Sequence, residues 1–240
     1  MSDPNSPLPR WSRDLPRTRL TPWKDDPAEP GPTVIVDVDG VVANMDQFNH
    51  LISAETSRDK DWATFHRSFN QARLITSGSR LVSSLTDAGL EIAWSTTRPE
   101  QFARATWRWL QSHHLPLGPT MFRHFIKDGP RSAIDIKLRH WWFWYDQYGE
   151  DNPILGWIDD DLTAVHALRA NGCPAWHPNE LIPHSRKGQL LATLRSGPID
   201  MELLDQRLAE SRPIWQANED DWQARRAEWW ARERSRRRTR

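Results

Sequence analysis

Asp37 and Asp39 follow the run Val34-Ile35-Val36 and precede Gly40. A short β-branched run of this kind forms a strand buried on both faces, so the two carboxylates arrive at its carboxyl end, where open α/β sheets place their ligands. Gly40 suits a sharp exit from the strand because it takes positive φ without a side-chain clash. Paired carboxylates at such a point can serve as nucleophile, proton carrier or cation ligands; the plainer alternative is an acidic turn with a helix-capping aspartate. A second acidic run, Asp159-Asp160-Asp161, comes directly after Ile154-Leu155-Gly156-Trp157-Ile158. Capping accounts for one of these three but not for all, and together with Asp37 they would complete an all-oxygen site for a hard cation. Between the acidic runs, Ser95-Thr96-Thr97-Arg98 offers hydroxyls, backbone N–H groups at an expected helix start and a guanidinium, the groups that hold a phosphate. An ordinary Ser/Thr cap would look the same. Lys137 is a candidate point charge for a phosphoryl oxygen, in competition with Lys127.

These residues need a sheet to bring them together. Residues 34–36, 90–94 and 154–158 read as buried strands, each followed by helical periodicity, and the alternation predicts a parallel sheet covered by helices. Pro99 is expected to open a helix through Trp107 and Leu110. Residues 131–148 read as a helix carrying Trp141, Trp142, Trp144 and Tyr145, and another helix ends near Gly172. A helical insert occupies residues 43–85, where His66, Arg67 and Arg73 accompany Trp62, Phe65 and Phe69; helical spacing makes those aromatics core residues before it makes them stacking platforms. The expected organisation is an extended, proline-rich arm over residues 1–32, a catalytic domain over 33–197 and helices over 198–240.

Composition narrows the function classes. Lys+Arg and Asp+Glu are 32 each in 240 residues, which excludes attachment to nucleic acid by overall charge. The balance is local: residues 222–240 hold eight Arg against Glu228 and Glu233, an excess of six that predicts either a solvated helix end or a salt-sensitive contact with a phosphate backbone. Trp215, Trp222 and Trp229 recur every seven residues and share a face that would pack on the domain or on a second subunit. The single Cys173 excludes an internal disulfide framework, and nine scattered His give no zinc-ligand spacing. No run approaches the roughly 18 apolar residues of a membrane span, and the amino terminus lacks the apolar core of a signal peptide. A soluble, cytoplasmic protein is expected. No G-x4-G-K-[ST] phosphate loop occurs.

The ordered set Asp37-x-Asp39-Gly40, Thr96, Lys137 and Asp159-Asp160 resembles the four motifs of the haloacid dehalogenase superfamily of phosphohydrolases. Within it, residues 33–180 look most like the phosphatase domain of phage polynucleotide kinase-phosphatase and related RNA-repair domains. Val-Asp-Val-Asp-Gly, Arg98, Arg131-x5-Lys137 and Trp157-Ile158-Asp159-Asp160 carry that closer match. Val41 and Thr97 depart from it, standing where many relatives have Thr and Gly.

The resemblance implies a Rossmann-like parallel sheet and a magnesium-dependent phosphatase. Asp37 would be the nucleophile and Asp39 the proton carrier, with Thr96 and Lys137 on the phosphoryl oxygens. Gly40, Thr97 and Arg98 would line the substrate. Mg2+ would be held by Asp37, the Asp39 main-chain carbonyl and Asp159 or Asp160. The implied substrate is a phosphorylated nucleic-acid end, with free nucleotides as the alternative, and a turnover-dead module that binds nucleic acid or a partner protein as the reading outside enzymology.

Overall fold

The computed structural model of the chain describes residues 29–53, 59–124, 131–186 and 188–198, with positions 23–24, 27 and 128. The expectations for Lys127, for most of the arm, and for the Trp stripe and Arg-rich tail lie outside those residues.

Among the described residues there are eight strands: β1 Trp23–Lys24, β2 Thr33–Asp37, β3 Ala43–Asn44, β4 Arg73–Leu74, β5 Glu91–Pro99, β6 Thr120–Arg123, β7 Ile154–Ile158 and β8 Ala175–Trp176. Six of them form one sheet in the order β1-β6-β5-β2-β7-β8, parallel throughout except for β1 at the edge. The α-helices are α1 Trp62–Arg67, α2 Thr76–Asp87, α3 Ala103–Ser112, α4 Ala133–Tyr148, α5 Leu162–Ala170, α6 Pro178–Arg186 and α7 Leu190–Ser196.

The β2 run is buried on both faces as its composition requires. Val34 and Val36 point into one core with Trp94, Ile158, Leu81, Leu110, Leu181 and Leu194, whereas Ile35 points into the other with Ala93, Trp157, Trp141, Trp144 and Leu168. The period-two alternation of strand side chains thus builds two cores from one strand. Helices α2, α3, α6 and α7 cover the first face, and α4 and α5 cover the second. The architecture is α/β, a Rossmann-like parallel sheet flanked by helices.

From β2 the chain builds outward through β5 and β6, then returns through α4 to lay β7 on the opposite side of β2. Strand order reverses beside β2, which is where sheets of this type open a crevice at their carboxyl ends. Helix α4 starts from a reciprocal cap between Ser132 and Asp135, which satisfies backbone N–H groups at its first turn.

Two local departures from expectation bear on the site. Strand β5 runs through Pro99, whose ψ of 140° is extended, and α3 starts only after a 3-10 turn at Glu100–Phe102. Proline's missing N–H is tolerated at a strand end, so Thr96–Arg98 are strand residues rather than a helical first turn. The insert after β2 also leaves and rejoins the domain through a two-stranded neck, Ala43 paired with Leu74 and Asn44 with Arg73.

Among the described residues, no helix is long and apolar enough to cross a membrane.

Candidate active site

Strand register sets the level of the site. Asp37 is opposite Ser95 on β5, and Val36 is opposite Ile158 on β7, so Asp37, Thr96 and Asp159 emerge together from three adjacent parallel strands. Asp37 Oδ1 accepts the Val38 N–H at 2.7 Å. Its Oδ2 accepts from Lys137 Nζ at 2.6 Å. Lys137 spans from Asp37 to Asp159, meeting Asp159 Oδ1 at 2.7 Å and Oδ2 at 2.6 Å. Asp159 is fully buried and also accepts from Asp161 N–H at 3.1 Å and Trp157 Nε1 at 3.4 Å.

One carboxylate oxygen from each of Asp37, Asp159 and Asp160 lies within 4.8 Å of the other two. Three carboxylates against the Lys137 ammonium leave a formal charge of −2, and the donors are all oxygen. That set fits a hard divalent cation such as Mg2+. Asp160 reaches the group because Gly40, at φ +80°, leaves it room; a Cβ built on Gly40 would overlap the Asp160 carboxylate. The electrostatics follow from the crowding. Burial, reinforced by the charges of Asp159 and Asp160, pushes the Asp37 carboxyl well above its ordinary range although Lys137 pulls it down. Burial weakens the hold of Lys137 on its proton, but Asp37 and Asp159 outweigh it and keep the ammonium charged. Asp160 is pushed up to about 6, by partial burial first and then by Asp159. Carboxylates crowded on one ammonium compete for charge until a cation joins them.

Asp39 stands apart from that group. Arg98 forks it, Nε to Oδ2 at 2.8 Å and Nη2 to Oδ1 at 3.0 Å, and 29% of the Asp39 side chain stays open. The Asp39 carboxylate is therefore committed to Arg98, outside the group formed by Asp37, Asp159 and Asp160. The buried Arg98 guanidinium also lies 3.7 Å from the Phe69 ring centroid and donates to the His66 carbonyl at 3.3 Å. Thr96 is buried on β5 and its Oγ1 accepts the Arg98 N–H at 3.2 Å. Thr97 is half-buried, and its carbonyl accepts from Arg123 Nε at 3.2 Å.

The insert's aromatics divide by burial. Phe65 and Phe69 are core residues, while Trp62 is 40% exposed. His66 is half-buried between Trp62 and Phe102, with ring centroids 5.9 and 5.4 Å away. Arg67 and Arg73 are exposed. Trp94 is wholly buried, its Nε1 bonded to the Pro116 carbonyl at 3.0 Å, so it packs the core and offers no stacking face.

Three features near the site have no counterpart in the sequence reading. Arg123 ends the four-residue strand β6 beside Thr97. Arg139 makes a buried ion pair with Asp128. Ser95 Oγ and His140 Nδ1 are 2.8 Å apart, both residues fully buried. The only sequence signal for any of them is a polar residue on an otherwise apolar strand or helix face.

No protein-family model matches the sequence, and no curated protein does. Among solved structures, the chain is similar to a chain in each of two structures of the Pnkp1/Rnl/Hen1 RNA repair complex. One is 16% identical over 69% of this chain and 47% of that chain, with a TM-score of 0.46. The other is 19% identical over 69% of this chain and 51% of that chain, with a TM-score of 0.48. The chain spans about half the length of the chains it matches.

Proposed function

We infer that the protein is a divalent-cation-dependent phosphohydrolase that works through an aspartyl-phosphate, with a phosphorylated nucleic-acid end as its substrate. The observation that carries this reading is the grouping of Asp37, Asp159 and Asp160 around one ammonium at the strand-order reversal. A structural turn has no need of three carboxylates with a surplus of two negative charges, whereas phosphoryl transfer needs an anionic oxygen brought to an anionic substrate in a screened pocket.

Asp37 would be the attacking group. One of its carboxylate oxygens bonds to phosphorus as the bond to the leaving oxygen breaks, and Asp39, at the open edge, protonates that oxygen. Asp39 then takes a proton from water; the water oxygen bonds to phosphorus, the acyl-phosphate bond breaks, and Asp37 is regenerated with release of inorganic phosphate. Lys137 meets the charge that builds on the phosphoryl oxygens, with the Thr96 hydroxyl as neutral donor and Gly40 and Thr97 lining the approach. Arg98 holds Asp39 in place and ties it to the insert. Asp37, Asp159 and Asp160 would hold Mg2+, which when bound supplies charge neutralisation between nucleophile and phosphate.

A polymer end is favoured over an enclosed metabolite by the small insert and by the half-exposed Trp62 stacked beside His66. The Arg-rich segment 222–240 would add backbone contacts. The deciding experiment measures phosphate release from a 3′-phosphorylated oligonucleotide, a 5′-phosphorylated one and mononucleotides, with Mg2+ and with chelator. Cation-dependent release, fastest from the 3′-phosphorylated oligonucleotide, is expected. Preference for mononucleotides would make the chain a nucleotidase, and no release from any substrate would leave the binding-module reading.

A further inference from the structure

Lys137 is the residue on which the carboxylate group converges, yet it is borne on a helix packed across the sheet face, so its ammonium is only as well placed as that helix. A second polar tie stands beside it. Lys137 and His140 are three positions apart on α4 and therefore share a face. Asp37 and Ser95 are opposite one another on β2 and β5. The residues of α4 thus meet the two strands in parallel, Lys137 on Asp37 at 2.6 Å and His140 on Ser95 at 2.8 Å. Ser95 and His140 are both fully buried among apolar neighbours that include Trp141, Trp144 and Met121. Apolar packing is non-directional and tolerates small rotations of a helix; a short buried hydrogen bond does not.

We propose that Ser95 and His140 are positioning residues for Lys137, fixing the rotation and height of α4 so that Nζ falls between Asp37 and Asp159. The same bond holds Ser95 where it leads into Thr96, so one contact sets two of the groups that would face a phosphate. Burial first, and then the like charges of Arg139, Lys137 and Arg123, keep the His140 imidazole neutral. The bond is accordingly a neutral one, independent of the ionic contacts beside it. The inference rests on the phosphatase reading only for its kinetic consequence; the placement of Lys137 is a property of the fold and is measured without turnover.

The experiment is competitive acetylation of the full chain with acetic anhydride, read peptide by peptide by mass spectrometry. Ser95→Ala and His140→Leu are compared with the native protein. Lys60, on the insert, supplies the internal rate standard, and alkylation of the buried Cys173 by iodoacetamide reports whether the core beneath α4 stays closed. Each variant should raise Lys137 labelling at least tenfold relative to Lys60 while Cys173 stays protected. His140→Asn, which returns a polar atom near the lost Nδ1, should recover most of the protection. Lys137 labelling unchanged from the native protein overturns the proposal, since the two carboxylates alone would then suffice. Lys137 and Cys173 becoming reactive together also overturns it, by showing general loosening of the core. Where phosphate release is measurable, the variants should lose roughly tenfold in kcat with KM within twofold, the pattern of a misplaced charge rather than of lost substrate contacts. Unchanged kcat beside an exposed Lys137 would leave the positioning intact and count against the part assigned to Lys137 in the reaction.

Discussion

Arg98 grips both oxygens of Asp39, and the residues are 59 positions apart in the chain. The contact makes one unit of the first acidic turn, the end of β5 and the insert, because the same guanidinium lies over Phe69 and bonds the His66 carbonyl. Arg98→Lys preserves the charge but cannot fork a carboxylate or stack as a plane. We expect phosphate release to fall about 100-fold, roughly the effect of losing 2–3 kcal/mol of transition-state placement, with a lower melting temperature. Steady-state kinetics beside a thermal melt checks both.

Asp37→Asn separates chemistry from folding. Turnover should be lost, since an amide is a far poorer nucleophile. The folded carboxyl is raised above its unfolded value, so the unfolded chain gives up this proton more readily, and an ionised Asp37 opposes folding at neutral pH. Calorimetry should therefore find the variant at least as stable as the native chain without added cation.

Cation binding should be visible as stability. Ligands that bind only the folded state stabilise it by mass action, so millimolar Mg2+ should raise the melting temperature and chelator should reverse the rise. Asp160→Asn, which removes one charge from the group of three, should shrink the shift without abolishing the fold. Equal shifts in both proteins would place the cation elsewhere.

The half-buried His66 predicts an acid sensitivity. Burial first, then Arg98 and Arg123, lower its pKa to about 4. Between its unfolded value near 6.5 and that depressed value, the unfolded chain binds a proton that the folded chain does not, so stability falls as pH falls through this window. His66→Gln should flatten the dependence of melting temperature on pH between 6.5 and 4, leaving the part due to His140 and the opposing part due to the raised carboxyls of Asp37 and Asp160. An unchanged slope would mean that His66 does not titrate as its surroundings dictate.

Trp62 is the large aromatic that the insert leaves half in solvent. If a base stacks there, Trp62→Ala should raise KM for a 3′-phosphorylated oligonucleotide by roughly tenfold or more, in line with about 1–3 kcal/mol per stacked base. KM for a base-free phosphomonoester is the comparison. Equal changes on both substrates would assign Trp62 to folding of the insert.

The acidic turn, the second acidic run and the buried strands could be read from the sequence because each is local: a β-branched run, a glycine, a cluster of like charges. The Arg98 fork could not, since nothing near Arg98 or Asp39 announces a partner in another element. The sequence around Thr96 reads as a helix start because proline suits both a first helical turn and a strand end, and only the pairing of Pro99 with Arg123 decides between them. Strands β6 and β8 have four and two residues, too short for periodicity to register. Arg123 was hidden with β6, and the Ser95–His140 bond was hidden because a polar residue inside an apolar pattern gives no address for its partner.

The paired neck at Ala43–Asn44 and Arg73–Leu74 brings the entry and exit of the insert to neighbouring backbone positions, about 5 Å apart in an antiparallel ladder. Growth or shrinkage between those points is absorbed there, and the spacing of the aspartates on the sheet is not disturbed. A change in the length or side chains of the insert is thus a change made across a single suture, apart from the strand ends that carry Asp37 and Asp159.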